Sequence, residues 1–166
     1  PVDAIWAIFL FDNKFRRQKY NEETVMDIHH FLEPIIVLIG WTMLVWVWMY
    51  ATRIPAMNQA AINPDDARHP GTYGHLLPSS VRAVADNHNH LHEQPTVFYA
   101  VMFFAALTGG ADPVALNLAW AYVGARVLHS LVQILMSKVI PRFVIFALGS
   151  LILITLVIKE LIRTFS

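Results

Sequence analysis

The feature that most constrains this chain is an apolar run over residues 34–53, PIIVLIGWTMLVWVWMYATR, with no charge before Arg53. A helix of roughly 20 apolar residues matches the thickness of the hydrocarbon core of a bilayer. The run also contains Trp41 and Tyr50, and such side chains are typical of the membrane interface. The run therefore predicts a transmembrane helix.

Composition extends this prediction to the whole chain. Of 166 residues, 56% are hydrophobic and only 14% are charged, and the mean hydropathy is +0.47. These values indicate an all-α integral membrane protein. The 12 basic residues equal the 12 acidic ones, which argues against a nucleic-acid partner because such proteins carry a basic excess. The absence of cysteine excludes disulfides and thiolate metal sites.

Three further spans follow. Residues 54–80 contain four prolines, which predicts a long external loop. Residues 81–107 begin polar and end apolar, residues 114–137 are mostly apolar, and residues 143–158 are uniformly apolar. A polar half helix enters a membrane only where neighbouring helices or a water-filled cavity cover it. The prediction is a four-transmembrane-helix bundle whose charge distribution leaves its orientation open.

The chain divides into a short N-terminal segment, residues 1–30, and the membrane domain, residues 31–166. The segment opens with about ten apolar residues, half of the roughly 20 needed to span a bilayer, followed by the basic stretch DNKFRRQKY. We expect it to lie in the membrane interface or to dock on another protein. Its basic cluster follows the apolar part, which is the reverse of a signal peptide.

Two charges of opposite sign interrupt the apolar spans. Glu93 lies where the second span turns apolar, and Arg126 lies in the middle of the third. An unpaired ion in hydrocarbon costs several kcal/mol, so we expect Glu93 and Arg126 to form a structural ion pair. His129, Ser130 and Gln133 follow Arg126 at helical spacing, which places all four on one face of the third helix.

The order of these features resembles the MAPEG family, membrane-associated proteins of eicosanoid and glutathione metabolism, and its bacterial branch in particular. The resemblance rests on a proline-rich loop after RIPA, on a second helix with Asn89, Glu93 and Pro95 before FY, and on Arg126 and His129 in the third helix. It covers roughly residues 34–163 and leaves the N-terminal segment aside.

The resemblance implies a trimer of four-helix chains that holds glutathione between neighbouring subunits, as characterised members do. It places the family's second-helix carboxylate on Glu93 and the third-helix arginine and following polar residue on Arg126 and His129. The arginine that steadies the glutathione thiolate in several members falls on Arg142. Arg142 is therefore the predicted catalytic residue, acting on the pKa of a bound thiol, since thiolates are favoured by neighbouring cations. Without the resemblance, Arg142 is interpreted as a membrane-surface anchor.

Three positions depart from the family pattern. Asp86 stands where glutathione-using members have arginine, His90 where they have asparagine, and Gln133 where tyrosine is expected. Glutathione carries two carboxylates, so an aspartate in its binding site repels it. One lost charge-assisted hydrogen bond of roughly 1.5 to 3 kcal/mol weakens binding about tenfold or more. The resemblance predicts that glutathione, as co-substrate, contacts Glu93, His90, Arg126, His129 and Gln133.

A histidine cluster at residues 88, 90 and 92 raises the question of a metal site. On a helix, His88 and His92 share a face while His90 points away, so at most two of them reach one ion. Glu93 or His129 would have to supply a third ligand. Because the resembling family uses no metal, we predict none.

Two classes of function remain open. The first is a glutathione-dependent transferase or peroxidase that stabilises a thiolate and acts on lipophilic electrophiles from the bilayer. The second is a non-catalytic accessory subunit of a larger membrane complex that reuses the bundle. In either case membrane lipid is a partner, the chain is expected to be oligomeric, and the resemblance places it in a bacterial inner membrane.

Overall fold

A computed structural model describes residues 26–63, 65, 73–136 and 138–166, so most of the predicted N-terminal segment lies outside the described residues. The described part is all-α, as predicted. It consists of α1 (Ile28–Gln59), α2 (Ser79–Leu107), α3 (Pro113–Leu135) and α4 (Val139–Phe165), with a short 3₁₀ turn at Gly74–Leu76. The four helices follow the four predicted spans in order.

The first helix extends further at both ends than the predicted span. Its N-cap is Asp27, whose carboxylate accepts a hydrogen bond from the backbone N–H of His29 at 3.0 Å. The prediction that a loop begins at residue 54 was wrong, since α1 continues through Pro55 to Gln59. A proline removes only one backbone donor, and the surrounding protein of a membrane helix can tolerate that loss. The helix ends where Ala61 adopts φ 48°.

Packing orders the helices in two tight pairs. α1 packs along α2 and α3 packs along α4, with α2 and α3 joining the two pairs. Phe98 of α2 and Tyr122 of α3, both fully buried, stack with ring centroids 4.6 Å apart at the centre of the core. The stacked rings connect the two pairs of helices.

The outer surface is that of a membrane protein. α1, α3 and α4 are each long and apolar enough to cross a bilayer. On α4, large apolar side chains such as Leu148, Leu151 and Ile154 are more than half exposed, which suits contact with lipid rather than water. The remaining described helix, α2, is long enough but not apolar enough to be a candidate span by composition. The reason is its polar first half, the sequence SSVRAVADNHNH.

A tight turn joins α2 to α3, as the glycines and Asp112 predicted. Gly109 has φ 77°, a left-handed conformation that favours glycine. Asp112 is the N-cap of α3 and accepts a hydrogen bond from the N–H of Ala115 at 2.9 Å, with Pro113 following in the first turn. These residues reverse the chain at the end of the bundle.

A network of charges fixes the end of α4 to this turn. The ammonium of Lys159 lies 2.5 Å from Asp112 and 3.0 Å from Glu160. The Arg163 guanidinium lies 2.8 Å from Glu160 and donates to the carbonyl of Thr108 at 2.9 Å. Glu160 is only 3% exposed, so its charge is compensated inside the protein.

The electrostatics of Asp112 follow from the same contacts. Burial raises the pKa of Asp112, but the Lys159 ammonium and the Ala115 N–H outweigh burial and hold this pKa below its ordinary value. The same network explains Gly110, because a Cβ there would collide with the carboxylate of Glu160 and the guanidinium of Arg163. The sequence prediction did not identify this network.

Candidate functional site

The polar residues of α3 lie on one buried face, as their spacing predicted. Arg126, His129, Ser130 and Gln133 are 2%, 3%, 0% and 5% exposed. The other faces of α3 carry apolar side chains toward the neighbouring helices and the bilayer, so helical periodicity brings these four to the inside. The bundle therefore contains a polar interior between α2 and α3.

Three hydrogen bonds join α2 and α3 across this interior, one of them a long bond of 3.4 Å from the Tyr122 hydroxyl to Oε1 of Gln94. Asn87, which is fully buried, donates from Nδ2 to Oε1 of Gln133 at 3.1 Å. Arg126 donates from Nη2 to the backbone carbonyl of His90 at 2.6 Å. Several other buried polar atoms have no hydrogen-bond partner among the described residues, including Arg126 Nε and Nη1, His129 Nδ1 and Ser130 Oγ. Such atoms ordinarily bind water or a ligand.

The predicted ion pair between Glu93 and Arg126 is not formed within the chain. The Glu93 carboxylate bonds instead to Nδ1 of His90 at 3.1 Å, and its side chain is 66% exposed. The reason is helical geometry: the buried face of α2 includes Leu91 and Pro95, and Glu93, two residues from each, points to the opposite side. Arg126 is thus a buried cation with no carboxylate partner among the residues that the structure describes.

A pocket of about 160 Å³ lies where α2, α3 and the start of α4 meet. Three of its lining residues are candidates from the sequence: His90, His129 and Arg142. The remaining wall is apolar, formed by Val139, Phe143 and Phe146. The structure thus brings together one residue from each of three helices that are far apart in sequence.

The pocket is positively charged on balance. Arg142 makes no ion pair or hydrogen bond with the part of the chain that the structure describes, and no carboxylate lines the pocket. The guanidinium of Arg126 lies behind the wall, 5.8 Å from the centre of the Phe146 ring. The His129 ring lies 5.7 Å from the same ring and 6.0 Å from the His90 ring. An anionic group is the expected complement of this arrangement.

Other candidates lie outside the pocket. Gln133 is engaged by Asn87 in the interior, Glu93 points away from α3, and Asp86 is exposed on α2. Asn87 itself was missed, although its position four residues before Leu91 on the buried face of α2 was a signal that could have identified it. Phe146 was missed because an aromatic residue in an apolar span carries no distinguishing pattern.

The histidine cluster forms contacts among its own residues. The rings of His88 and His92 lie 4.4 Å apart, and Nδ1 of His92 bonds to the carbonyl of His88 at 2.8 Å. Within the described residues, no three His, Cys, Asp or Glu side chains are grouped so that they could hold a metal ion.

Glutathione fits this site only in part. Binding pockets for small molecules usually measure about 300 to 1,000 Å³, whereas this pocket holds about 160 Å³. A thiol or one carboxylate of the tripeptide would fit between Arg142 and the two histidines. The rest of glutathione would need a surface outside this chain's own pocket.

The fold and the site define a class of protein: a helical membrane bundle with a small cationic pocket between its helices. Within that class, residues 31–162 match the sequence model of the MAPEG family. The chain therefore belongs to this family. Its fold is the four-helix membrane bundle of that family. Neither the comparison with curated proteins nor that with solved structures finds a match.

Proposed function

We propose that this protein is a glutathione-dependent transferase or peroxidase that acts on lipophilic electrophiles by stabilising a thiolate. The observation that supports it is the pocket lined by Arg142, His90 and His129 without a carboxylate. Members of the MAPEG family commonly bind glutathione. A thiolate is an anion, and a pocket whose arginine has no ion-pair partner among the described residues favours the thiolate over the neutral thiol.

Arg142 has the central role in this proposal. It is half-buried at the start of α4 and lines the pocket, and none of the residues that line this pocket carries a carboxylate. A cation close to the sulfur lowers the pKa of the thiol and increases the fraction of nucleophile present at neutral pH. His129 also lines the pocket, and its buried Nδ1 has no hydrogen-bond partner among the described residues.

The apolar wall supports a lipophilic second substrate. Val139 and Phe143 line the pocket and are also 64% and 65% exposed on the outside of the bundle. A molecule dissolved in the bilayer can therefore contact the same residues that border the cationic end. This arrangement suits an apolar electrophile that reaches the thiolate laterally from the membrane.

Oligomerisation completes the proposal. The single chain offers space for only one end of glutathione, so we propose that a neighbouring copy in a trimer holds the remainder. Glu93, which points away from its own chain's interior, is available for such an interface. We further propose that the protein belongs to the bacterial branch of the family and lies in the bacterial inner membrane.

A specific observation favours a second candidate function, that of a non-catalytic accessory subunit in a larger membrane complex. Gln133 is held in a hydrogen bond by Asn87. Asp86 stands where glutathione-using members have an arginine. Both changes weaken the expected glutathione site while leaving the bundle intact. A bundle retained for packing alone would show this pattern.

Calorimetric titration of glutathione into the detergent-solubilised protein tests the first proposal. We expect binding in the micromolar to millimolar range that weakens about tenfold in Arg142→Ala, since a charge-assisted hydrogen bond contributes roughly 1.5 to 3 kcal/mol. Arg82→Ala, which removes an exposed cation of α2 outside the pocket, is the matched control and should bind as the wild type does. No heat at millimolar glutathione would overturn the enzymatic proposal.

The mass of the gently solubilised particle tests the alternative. A particle of about three chains with bound lipid supports the free trimer. A much larger particle that co-purifies other chains supports the accessory role, and the absence of glutathione binding in that same preparation would decide for it.

A further inference from the structure

In the hydrogen bond between His90 and Glu93, the histidine is the donor and the carboxylate is the acceptor. An ionised carboxylate can only accept, so the Nδ1 atom of His90, 3.1 Å from Glu93 Oε2, carries the proton. The lone pair of the imidazole is then on Nε2, at the other side of the ring. A carboxylate that fixes the tautomer of a histidine in this way is a recurring arrangement in general-base catalysis.

His90 lines the pocket together with Arg142 and His129, and its ring lies 6.0 Å from the ring of His129. Nε2 of His90 makes no hydrogen bond to any described residue, whereas Nδ1 is engaged. The backbone of the same residue is also held, since its carbonyl accepts from Arg126 Nη2 at 2.6 Å. Both the main chain and the ring of His90 are therefore positioned by neighbours, and the basic nitrogen remains available.

We propose that His90 is a general base that takes the proton from the substrate thiol, with Glu93 as its positioning residue. This inference rests on the proposed function and adds a catalytic group to it. A histidine and glutamate one helical turn apart often form no more than an exposed surface pair, and these side chains are 39% and 66% exposed. What distinguishes this pair is that His90 lines the pocket that is also lined by Arg142, which makes no ion pair with the described residues.

The step balances with an epoxide as the second substrate. Nε2 of His90 accepts the thiol proton, and the electron pair left on sulfur forms the new sulfur–carbon bond while the carbon–oxygen bond of the epoxide breaks. The alkoxide oxygen then takes the proton back from His90. The products are a thioether alcohol and neutral His90, with no other reactant required.

The charges around His90 explain why it would need Glu93. From α2 the ring faces the Glu93 carboxylate, from α3 it faces His129 with Arg126 close behind, and from α4 Arg142 lines the same pocket. The two arginines stabilise the thiolate but oppose a positive imidazolium beside them. The carboxylate of Glu93 offsets this repulsion, so the proton can rest on His90 while sulfur reacts.

The test uses the solubilised wild type, His90→Asn, His90→Ala and Glu93→Gln with glutathione and styrene oxide as probes. We expect all four proteins to bind glutathione, and turnover is compared at glutathione concentrations that saturate each of them. Turnover should fall roughly 100-fold or more in both His90 variants, the range typical for loss of a general base. The acidic limb of the wild-type pH–rate profile should disappear in these variants and shift in Glu93→Gln.

Chemical rescue separates a catalytic from a structural role. Added imidazole should restore part of the turnover of His90→Ala, because a diffusing base can replace the missing one, and should leave the wild type unchanged. His92→Asn, whose parent ring bonds only within its own helix, is the control with unaltered turnover. If wild type and His90→Asn turn over equally with the same pH profile, or if imidazole rescues nothing, this inference is overturned while the proposed function stands. If the wild type neither binds nor turns over, both fail.

Discussion

Asn87 and Gln133 are joined by a hydrogen bond of 3.1 Å between α2 and α3 in the interior of the bundle. Both side chains are buried, at 0% and 5% exposure. The bond occupies Oε1 of Gln133, at a position where the family resemblance predicted a glutathione contact. The amide pair therefore links helices rather than facing the pocket, and it fixes the register in which His90 and His129 meet.

Removing one member of this pair should destabilise the bundle. Asn87→Leu leaves Gln133 buried without its partner, and we expect a loss of about 1 to 3 kcal/mol, the cost of an unsatisfied buried polar group. Gln133→Leu should cost a similar amount. In the double variant the two losses should not add, because the second change removes the group that the first left unsatisfied. Thermal unfolding in detergent of the four proteins gives the coupling, and strict additivity would show that the bond contributes nothing.

Glu93→Gln should hardly change stability. Under the ion pair expected from the sequence, this substitution would leave Arg126 buried and unpaired at a cost of roughly 3 to 5 kcal/mol. In the structure the Glu93 side chain is 66% exposed and bonds only to His90, so we expect a change below about 1 kcal/mol. The unfolding temperature of the variant decides between the two, and Glu33→Gln, at an equivalent exposed pair with His30, is its control.

Asp112 should make a pH-dependent contribution to stability. Its pKa in the folded protein lies below the ordinary value because Lys159 and the Ala115 N–H outweigh burial. A lowered folded pKa means that the contribution is present above the unfolded pKa and is lost as the pH falls through the folded value. Asp112→Asn keeps a capping oxygen and removes the charge. Its unfolding temperature should therefore lie below that of the wild type at neutral pH.

The comparison is completed at acidic pH. As the pH falls below the ordinary value of 3.8, the wild type loses the same charge and the difference from Asp112→Asn should shrink. Asp112→Ala also removes the N-cap and should lose about 1 kcal/mol more at every pH. A gap between wild type and Asp112→Asn that is independent of pH would contradict the assignment.

Comparison of the sequence with the structure shows which parts of the molecule were predictable. Long apolar runs, the turn around Gly109 and the shared face of Arg126 and Gln133 depend on local periodicity and conformation, so the sequence was sufficient for them. The partner of Glu93 depends on which way α2 rotates against α3. That rotation is set by the packing of buried residues such as Leu91 and Phe98, which the charge pattern of the sequence does not specify.

The position of the pocket was also not predictable from the sequence. His90, His129 and Arg142 were each singled out from the sequence, but their common position depends on three helix contacts that no local pattern specifies. In the sequence, His90 is a departure from the family pattern that predicts a weaker glutathione site. In the structure, the same residue bonds to Glu93, and this bond supports the chemical role proposed for it.

The charge network at the opposite end of the bundle supplies the last prediction. Glu160 is 3% exposed and lies within 3.0 Å of Lys159 and 2.8 Å of Arg163. Among the described residues, Glu160 is the carboxylate that the two cations share, so Glu160→Gln removes this shared charge while Lys159 keeps Asp112. We expect a loss of about 2 kcal/mol, within the range for hydrogen bonds to charged groups, because the two cations remain partly exposed to solvent.

Two controls make the result specific. Glu33→Gln removes an equally charged side chain that is half exposed and bonded one turn away, and it should change the unfolding temperature little. Arg163→Met should be at least as damaging as Glu160→Gln, because it also removes the hydrogen bonds to Thr108 that hold α4 to the turn. If Glu160→Gln unfolds at the temperature of the wild type while Arg163→Met does not, the contact with Thr108 rather than the buried carboxylate stabilises this end of the bundle.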